Sequence, residues 1–576
     1  MLKHLRKQVG ENKRPTFLTI LFVVLEVVMD VTIPFLMAFL LDRGIDAGNL
    51  SEIIKWGALL LFCASIALLF GVLAGHFAAR ASTGFAKNVR RGLYYAVQDF
   101  SFANIDRFST SSLVTRLTTD VTNVQHAYQM LTRIAVRSPV MLVFSFFMAF
   151  SINNSLSLVY LVAIPLLAVG LFFLIRAAYP IFTRVFKTYD KLNTVVQENI
   201  RAVRVVKSFV REQYEIKKFG SVSQEIFQDF SKAEKIVAFN SPLMQGTMYL
   251  CILAISYLGA RLIVSSSMTT GQLMSFITYT SQILMSLMML SMVFVMLTIS
   301  KASAQRIEEV LGEKLDLVEQ ASPKTFMKDG SVTFEHVDFS YTKTEDKRCL
   351  FDVNLDIPSG CTVGILGPTG SAKTSLVQLI PRLYDVDNGS VKVGGEDVRS
   401  YSLESLRKEV GMVLQKNVLF SGTIEENLRW GNEDASEEEL GWACRIAQAE
   451  SFINSFPLGY KTYLEQDGSN LSGGQKQRLC IARALLKRPK ILILDDTTSA
   501  VDTKTDSKIR EALKTELKET TKLIIAQRIS SVMDSDLIIM LDDGKIQAMG
   551  THEELLATCP RYNHMFERQM RKEEQA

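Results

Sequence analysis

The sequence predicts a six-helix transmembrane bundle with long cytoplasmic helical extensions, fused to a cytoplasmic α/β domain that carries a P-loop. Three observations favour this fold class. Long apolar runs fill the first half of the 576 residues, whereas the second half alternates like a soluble α/β domain. Arg and Lys concentrate in alternate connections between the apolar runs. A strand, a glycine-containing loop and a helix follow one another around Gly367, and a chain of this length is expected to hold more than one domain.

Six apolar segments are long enough to cross a bilayer, which takes about 20 residues each. We predict membrane spans at Phe17–Leu41, Trp56–Ala79, Ile134–Phe150, Leu156–Ile175, Pro242–Val264 and Leu273–Ile299. No small-residue cleavage site follows the first apolar run. We therefore expect a retained membrane helix there and not a signal peptide.

The connections between the spans differ in charge and length. Residues 1–14, 80–133 and 176–235 are rich in Arg and Lys. The connections on the opposite side are short and comprise Asp42–Lys55, Ser151–Ser155 and Ser265–Thr270. By the positive-inside rule, the N-terminus, the two long connections and the C-terminal domain are cytoplasmic. The basic residues flank membrane spans and the net charge is only +4, so no feature indicates nucleic-acid binding.

The two long connections, Ala81–Tyr128 and Ala177–Phe239, carry apolar residues at three- and four-residue spacing. This spacing predicts helices, so each connection is expected to form two helical arms. An arm of about 24 residues reaches roughly 36 Å. We place the turn of the first connection at Ser101–Phe108 and the turn of the second near Phe209–Phe219.

These patterns divide the chain into a transmembrane domain (1–307), a charged linker (308–329) and a soluble domain (330–576). The soluble domain begins with the alternating strand Val332–Phe339. Its length of about 245 residues is ordinary for one α/β domain. Seven cysteines show no CxxC spacing, which favours unpaired thiols on a reducing cytoplasmic side.

A phosphate-binding loop follows the short apolar strand Thr362–Leu366 and opens an amphipathic helix at Lys373. It consists of Gly367, Pro368, Thr369, Gly370, Ser371, Ala372, Lys373 and Thr374, with Ser375 next in the helix. Backbone N–H groups and the helix N-terminus face phosphate in such loops. Lys373 reaches the terminal phosphates as a point charge, and the Thr374 hydroxyl is placed to ligate Mg²⁺. Ala372 stands where a glycine is expected, so its methyl group crowds a backbone that must approach phosphate closely.

Two further motifs follow the loop in order. The segment Leu471–Gln475 reads Leu-Ser-Gly-Gly-Gln and opens a helix, and the apolar strand Ile491–Leu494 is followed by Asp495 and Asp496. Together with the phosphate loop and the six spans, these motifs resemble the exporter class of ATP-binding cassette (ABC) transporters over the whole chain. The resemblance implies a P-loop ATPase domain that uses ATP and Mg²⁺. It also implies that the two turns of the long connections are coupling helices that dock on the ATPase domains.

The resemblance assigns roles to several further residues. Tyr341 matches the aromatic residue that stacks on adenine; the alternative is an ordinary loop tyrosine. Gln415 matches the glutamine that senses Mg²⁺ and touches the membrane domain, and Asp495 matches the residue that coordinates Mg²⁺ through water. The residues that close over the ATP of the opposite cassette are Ser472, Gly473, Gly474 and Gln475. Ser499–Asp502 resembles the D-loop, and Gln466 stands where many exporters have Glu.

Two positions depart from the family pattern. Asp496 stands where the family has the glutamate that polarises the attacking water, and Gln527 stands where it has a switch histidine. Asp is one methylene shorter, and a displacement of order 1 Å can cost about a hundredfold in rate. Gln can donate a hydrogen bond but cannot carry a proton. We therefore expect a site that binds ATP and hydrolyses it poorly; the alternative is that Asp496 works through an extra water.

The combination resembles the degenerate-site half of heterodimeric multidrug exporters of bacteria, located in the plasma membrane. The expected partner is a homologous half-transporter whose Walker motifs, with the Leu471–Gln475 motif of this chain, form the main hydrolytic site. The expected cargo is amphiphilic drugs or lipid-like molecules. The alternatives are a dedicated lipid or peptide exporter and an ATP-gated regulatory or channel subunit.

Features of the spans leave the cargo open. The sixth span carries a methionine series, namely Met274, Met285, Met288, Met289, Met292 and Met296. Such side chains suit promiscuous apolar surfaces, although ordinary packing is the alternative. Glu26 and Asp30 lie four residues apart on the first span. They can favour cationic cargo, pair with an Arg or hydroxyls of a neighbouring helix, or sit near the membrane edge.

Overall fold

The computed structural model describes residues 3–343, 347–496 and 501–573. The chain divides into two compact units. The first comprises Met1–Gln98 and Ser109–Glu313, and the second comprises Asp99–Phe108 and Lys314–Ala576. The segment Asp99–Phe108 therefore belongs with the C-terminal domain, although in sequence it lies within the first long connection.

The first unit is helical. Its helices, with the one that belongs to the second unit included in chain order, are α1 (Lys3–Lys7), α2 (Lys13–Phe39), α3 (Leu50–Asp99), α4 (Phe102–Arg107), α5 (Thr110–Thr115), α6 (Val121–Ile152), α7 (Asn154–Arg201), α8 (Val203–Ser208), α9 (Glu212–Ala238), α10 (Asn240–Val264) and α11 (Thr270–Leu311). Among the described residues, six helical stretches are long and apolar enough to cross a membrane: Gly10–Ile45, Leu50–Asp99, Thr110–Ile152, Asn154–Arg201, Glu212–Val264 and Thr270–Leu311. The prediction of six membrane helices with long extensions is confirmed.

The short connection before α11 is fixed by hydrogen bonds to Asp42. Its carboxylate accepts hydrogen bonds from the Thr269 hydroxyl (2.6 Å) and the Gly271 N–H (2.8 Å). A Cβ at Gly271 would lie 2.5 Å from the Ala38 carbonyl oxygen. Only glycine therefore allows α11 to approach the end of α2 this closely.

The turn of the second long connection begins earlier than the predicted Phe209–Phe219 and overlaps only the first residues of that range. The backbone leaves the helical path at Ala202 and again at Phe209, with α8 between the two breaks. Val210 takes a positive φ of 52°, and α9 then runs unbroken from Glu212. Glu212 and Glu215 in its first turn stabilise the helix N-terminus, which explains why residues 212–219 are helical.

The helix α11 continues into the predicted linker as far as Leu311. The Glu308 carboxylate accepts hydrogen bonds from the backbone N–H groups of His4 (3.0 Å) and Leu5 (3.1 Å). This contact with the N-terminal helix α1 explains why the charged residues after position 307 remain helical. The boundary between the two units lies at Glu313 and Lys314.

The second unit is an α/β domain. Its strands are β1 (Val332–Phe339), β2 (Leu350–Ile357), β3 (Thr362–Leu366), β4 (Asn388–Val393), β5 (Glu396–Asp397), β6 (Val410–Val413), β7 (Gly422–Thr423), β8 (Tyr463–Leu464), β9 (Ile491–Asp495), β10 (Thr521–Ile525), β11 (Leu537–Asp542) and β12 (Lys545–Gly550). Its remaining helices are α12 (Lys373–Gln378), α13 (Leu403–Glu409), α14 (Ile424–Arg429), α15 (Glu437–Ile446), α16 (Glu450–Ser455), α17 (Gly473–Leu485), α18 (Thr503–Glu516), α19 (His552–Thr558) and α20 (Pro560–Glu573).

Two main sheets build this domain. A six-stranded sheet has the order β12-β11-β3-β10-β9-β6, in which only β12 pairs antiparallel. An antiparallel sheet has the order β2-β1-β4-β5. All five residues of β9 and all five of β10 are buried. Continuous burial is typical of central parallel strands covered on both faces, and β9 and β10 are adjacent interior strands of this sheet.

Candidate functional site

The candidate site lies where three parallel strands end. The loop after β3, the acidic pair Asp495 and Asp496 at the end of β9, and Gln527 after β10 meet there, because the carboxyl ends of parallel strands share one edge. The Asp496 N–H donates to the Ile525 carbonyl (3.1 Å), and the Ala526 N–H donates to the Ile365 carbonyl (3.3 Å). These backbone bonds hold the chain segments in register just beyond the sheet.

The P-loop depends on a close backbone approach at its first residue. A Cβ at Gly367 would lie 2.0 Å from the Leu541 carbonyl oxygen, so no larger residue fits. The Lys373 ammonium donates to the carbonyl oxygens of Gly367 and Pro368, each at 2.8 Å. The lysine therefore crosses the mouth of the loop, where bound phosphate oxygens would compete for its protons. Burial lowers the pKa of Lys373, and the nearby Asp495 and Asp496 oppose that shift.

Ala372 adopts a left-handed backbone conformation, with φ 68° and ψ 24°, immediately before α12. This conformation costs an L-residue about 1–2 kcal/mol and costs glycine nothing. The sequence predicted crowding by the methyl group; the structure adds backbone strain at the same residue.

Asp495 is almost fully buried and accepts a hydrogen bond of 2.9 Å from the Thr374 hydroxyl. Burial raises the pKa of Asp495; the neighbouring Asp496 adds to the rise, while the Thr374 hydrogen bond and Lys373 oppose it. One hydroxyl and one carboxylate beside a phosphate loop suit Mg²⁺, which keeps several waters and takes its other ligands from phosphate. The described residues contain no group of three or more His, Cys, Asp or Glu able to hold a metal by themselves. Mg²⁺ bound here would neutralise phosphate charge.

The two residues that depart from the family pattern contact each other. The Gln527 amide donates to the Asp496 carboxylate at 2.9 Å. Asp496 itself has a positive φ of 51°. The buried Gln477 amide lies 3.4 Å from the Asp496 carbonyl oxygen, and the Gln569 amide donates to the Gln527 carbonyl at 3.0 Å. Sequence reasoning missed both supporting glutamines; a polar residue on the apolar face of α17 was the available signal for Gln477.

Tyr341 lies against the P-loop helix α12. Its hydroxyl forms a hydrogen bond with Ser375 (2.8 Å) and donates to Gln378 (3.3 Å). The ring meets Phe339 and Tyr384 edge-on and is 44% exposed, so an aromatic surface remains open beside the loop. Burial of the rest of the side chain raises the pKa of Tyr341. Stacking on adenine stays a prediction.

The Leu471–Gln475 motif opens α17 with a capping box. The Ser472 hydroxyl accepts from the Gln475 N–H (3.3 Å), and the Gln475 side chain accepts from the Ser472 N–H (2.9 Å). Ser472 and Gly473 are exposed, whereas Gly474 is half-buried.

Two further predicted site segments lie outside this motif. Gln415, the glutamine predicted to sense Mg²⁺, is exposed after β6. Ser499 and Ala500 of the predicted D-loop lie outside the described residues.

The short helix α4 packs within the same unit as the ATPase domain. Ser101 and Asn104 form a capping box at its N-terminus, and the Asn104 amide donates to the Lys314 carbonyl (2.9 Å). The Tyr384 hydroxyl donates to the Asp106 carboxylate (2.6 Å). Tyr384 was not singled out from the sequence, because an aromatic residue beyond the P-loop helix carries no motif.

The membrane unit holds the carboxylates that the sequence left open. Arg137 of α6 binds both, with one guanidinium nitrogen on Glu26 and another 2.7 Å from Asp30. The sequence left three interpretations of Glu26 and Asp30 open, and the structure shows the one in which they pair with an Arg of a neighbouring helix.

Comparisons with known proteins agree with this architecture. Residues 16–307 match the family described as ABC transporter transmembrane region, and residues 350–499 match the family described as ABC transporter. The uncharacterized ABC transporter ATP-binding protein YfiB of Bacillus subtilis (strain 168) is 37% identical over 556 residues, covering 96% of each chain. The fatty acid ABC transporter ATP-binding/permease protein of Mycobacterium tuberculosis (strain CDC 1551 / Oshkosh) is 34% identical over 453 residues, covering 79% of this chain and 71% of that protein. The structure of a bacterial Atm1-family ABC exporter with ATP bound shares the fold, with a TM-score of 0.83, 23% identity and coverage of 97% of this chain and 99% of that one.

Proposed function

Because this chain belongs to the ABC transporters and joins an exporter transmembrane region to an ATPase domain, we propose that it is one half of a heterodimeric exporter in a bacterial plasma membrane. Its own P-loop site binds ATP with Mg²⁺ and hydrolyses it poorly. The main hydrolysis takes place at the Walker motifs of a homologous partner, completed by the Leu471–Gln475 motif of this chain. The ATPase domain and the N-terminus face the cytoplasm.

The observation that carries this proposal is the hydrogen bond between Gln527 and Asp496. A general base must reach the proton that it takes within about 2.6–3.2 Å, directly or through one water. Asp496 is one methylene shorter than glutamate, and one of its oxygens already accepts from Gln527. Gln527 has no proton to exchange at neutral pH. Both changes weaken the activation of water without removing Lys373, Thr374 or Asp495 from the nucleotide site.

The intact Leu471–Gln475 motif supports the second half of the proposal. The Ser472 hydroxyl accepts from Gln475, which leaves its own proton free to be donated. It lies at the N-terminus of a 13-residue helix, where an anion is stabilised. A chain with a weakened site of its own therefore retains the part that serves the partner's ATP.

Amphiphilic drugs or lipid-like molecules are the proposed cargo. Most of the six methionines of the sixth span are exposed on α11, and methionine adapts its packing to varied apolar ligands. The relative named as a fatty acid ABC transporter favours lipid-like cargo within this class.

The test starts with affinity purification of the tagged full-length chain from its native membranes. We expect a homologous half-transporter to co-purify, and we expect the chain purified alone to show little ATPase activity. ATP-dependent accumulation of labelled amphiphiles in inverted vesicles then distinguishes a pump from an ATP-gated subunit. A homodimer of this chain with vigorous ATP turnover would overturn the proposal.

A further inference from the structure

A surface cavity of about 540 Å³ lies in the membrane unit, between α2, α3 and α6. Four charged side chains line it: Glu26, Asp30, Arg133 and Arg137. Glu26, Asp30 and Arg137 lie within predicted spans, and Arg133 directly precedes the third span. Ionisable residues inside membrane helices are rare because of their desolvation cost, and they usually mark a ligand or ion pathway. The arrangement of these four charges therefore bears on what the protein moves.

The charges are only partly paired with one another. Arg137 binds Glu26 through one nitrogen and Asp30 through the other. The second Glu26 oxygen, Oε2, is buried and has no hydrogen-bond partner among the described residues. Glu26 as a whole is 8% exposed. A buried carboxylate oxygen without a donor is costly, so this oxygen is a vacant acceptor at the wall of the cavity.

Arg133 is the complementary vacant group. It lies one helical turn before Arg137 on α6 and is half-buried at the cavity. No ion pair of Arg133 occurs among the described residues, although Glu26 and Asp30 line the same cavity. The cavity thus presents one carboxylate oxygen and one guanidinium whose charges are not matched by the protein.

Two glycines one turn apart on α3 make room for these groups. A Cβ at Gly71 would lie 3.2 Å from the Glu26 Oε1 atom, and a Cβ at Gly75 would lie 3.7 Å from an Arg133 nitrogen. Any larger side chain on this face would fill the space beside the two charged groups. The glycines place Glu26 and Arg133 at neighbouring heights along α3, about one helical turn apart.

The sum of the charges decides which ligand fits. Two carboxylates and two guanidiniums give a formal net charge of zero, so the cavity offers no net attraction to a pure cation or a pure anion. A ligand that carries both an ammonium and an anionic group satisfies Glu26 and Arg133 together. Apolar side chains, including Ile33, Leu68 and Val72, line the remaining wall, which suits alkyl chains.

We propose that this cavity binds a zwitterionic amphiphile, with its ammonium on Glu26, its anionic group on Arg133 and its alkyl chains along the apolar wall. Gly71 lies eight residues before the predicted span end at Ala79, or about 12 Å along the helix. That depth is within the inner half of a hydrocarbon core about 30 Å thick. Only the statement that the ligand is exported cargo rests on the proposed function; the binding site does not.

The test is equilibrium binding to the full-length protein, with whatever subunit co-purifies, in an uncharged maltoside detergent and without nucleotide. The probes are phosphatidylethanolamine, phosphatidylglycerol and a cationic single-chain amphiphile, all with the same fluorophore. We expect phosphatidylethanolamine to bind most tightly. Competition by lysophosphatidylethanolamine distinguishes a two-chain lipid site from a site for single-chain zwitterions.

Four variants assign the effect to the residues. Glu26→Gln keeps side-chain size, whereas Arg133→Gln replaces the guanidinium by a shorter neutral amide. Each should weaken phosphatidylethanolamine binding about tenfold or more, the effect of one lost charge-assisted contact. Val72→Trp narrows the cavity without touching a charge and should weaken binding similarly. Arg80→Gln is the matched control, because Arg80 is exposed on α3 and does not line the cavity; its affinity should stay within about twofold.

Three results would overturn the site: wild-type affinity in both charge variants, tighter binding of the cationic probe that only Glu26→Gln removes, or no binding of any probe. Specific binding of phosphatidylethanolamine that fails to stimulate ATPase activity would uphold the site and count against export of that ligand. Failure of the site and failure of the proposed transport function are thus separate outcomes.

Discussion

The Gln527 amide and the Asp496 carboxylate are joined by a 2.9 Å hydrogen bond. The two residues that differ from the hydrolytic family pattern therefore form one unit. The Gln569 amide of α20 donates a hydrogen bond to the Gln527 carbonyl and so stabilises the position of this pair. In the proposed function, the contact within this pair occupies the water-activating position while Lys373, Thr374 and Asp495 remain available to phosphate and Mg²⁺.

The first prediction concerns this pair. Asp496→Asn should lower steady-state ATPase activity of the assembled transporter less than about twofold, because in the proposed heterodimer the site of this chain contributes little turnover. Replacing the partner's glutamate after its Walker B aspartate by Gln should lower it about a hundredfold, the usual range for a positioned base. Parallel hydrolysis assays on the two variants decide the matter, and equal losses would contradict the assignment of a weak site.

The second prediction concerns Ala372. Ala372→Gly relieves about 1–2 kcal/mol of backbone strain in the folded state, because glycine adopts the left-handed conformation freely. Glycine also raises the conformational entropy of the unfolded chain, which lowers stability by about 0.4–1 kcal/mol. We expect a small net stabilisation and tighter binding of labelled ATP, because the methyl group beside the phosphates is gone. Ala512→Gly within α18 is the control and should only destabilise. Weaker ATP binding by Ala372→Gly would show that the alanine is favourable here.

The third prediction concerns Asp495, whose pKa burial raises above its ordinary value of 3.8. Because the folded-state pKa is raised, ionisation of this carboxyl disfavours the folded state. The free energy of unfolding therefore falls as pH rises from 3.8 through the folded-state pKa, and the full loss of stability is present at neutral pH. Asp495→Asn should therefore raise the nucleotide-free unfolding temperature at pH 7.5 and not at pH values below about 4.

The same variant should lose Mg²⁺-dependent ATP binding, since an amide is a poor ligand for Mg²⁺. Asp434→Asn, at an exposed position, controls for the change in net charge and should alter neither property. Unchanged Mg²⁺ dependence in Asp495→Asn would remove this carboxylate from the metal site.

The fourth prediction concerns the contact of α4 with the ATPase domain. Tyr384→Phe deletes the hydroxyl that binds Asp106 and keeps the ring that meets Phe102 edge-on. We expect cargo-stimulated ATPase activity to fall severalfold while ATP binding is unchanged, because a hydrogen bond to a charged group contributes about 1.5–3 kcal/mol. Tyr401→Phe is the control: its hydroxyl bonds the Val393 carbonyl within the same domain. Equal effects of the two variants would indicate a general loss of stability.

The sequence predicted those features of the structure that are determined by residues close together in the chain. The six spans and the strand, loop and helix around Gly367 could be predicted, because each depends on residues adjacent in the chain. The turn of the second connection was expected as far as Phe219, whereas residues 212–219 are helical because the acidic first turn of α9 stabilises its N-terminus. The pairing of Arg137 with Glu26 could not be chosen from three alternatives, because it joins residues more than a hundred positions apart.

Contacts made by residues without a motif were missed for the same reason. Tyr384 with Asp106 and Gln569 with Gln527 both join distant segments whose side chains are common in any α/β domain. The backbone strain at Ala372 was partly visible, because the family pattern requires glycine there, but its left-handed φ is a property of the folded loop.

The Leu471–Gln475 motif gives the last prediction, which acts in trans. In the proposed heterodimer, Ser472 and the backbone of Gly473 and Gly474 contact the γ-phosphate held by the partner. Donors preorganised around transferred phosphoryl charge are worth about 3–4 kcal/mol each, or roughly a hundredfold or more in rate. A side chain at the half-buried Gly474 would also block the approach of the two cassettes and place a negative charge at a helix N-terminus.

Gly474→Asp should therefore abolish ATPase activity and transport while labelled ATP still binds to the Lys373 site of this chain. The matched control is Gly220→Asp, at an exposed glycine of α9 whose Cβ position has no atom within 4 Å and which is remote from the motif in sequence. Binding and hydrolysis are measured side by side in the assembled pair. If Gly474→Asp left hydrolysis near the wild-type rate while Lys373→Ala removed it, the productive site would be this chain's own. The interpretation of Asp496 and Gln527 as marks of a weak site would then be wrong.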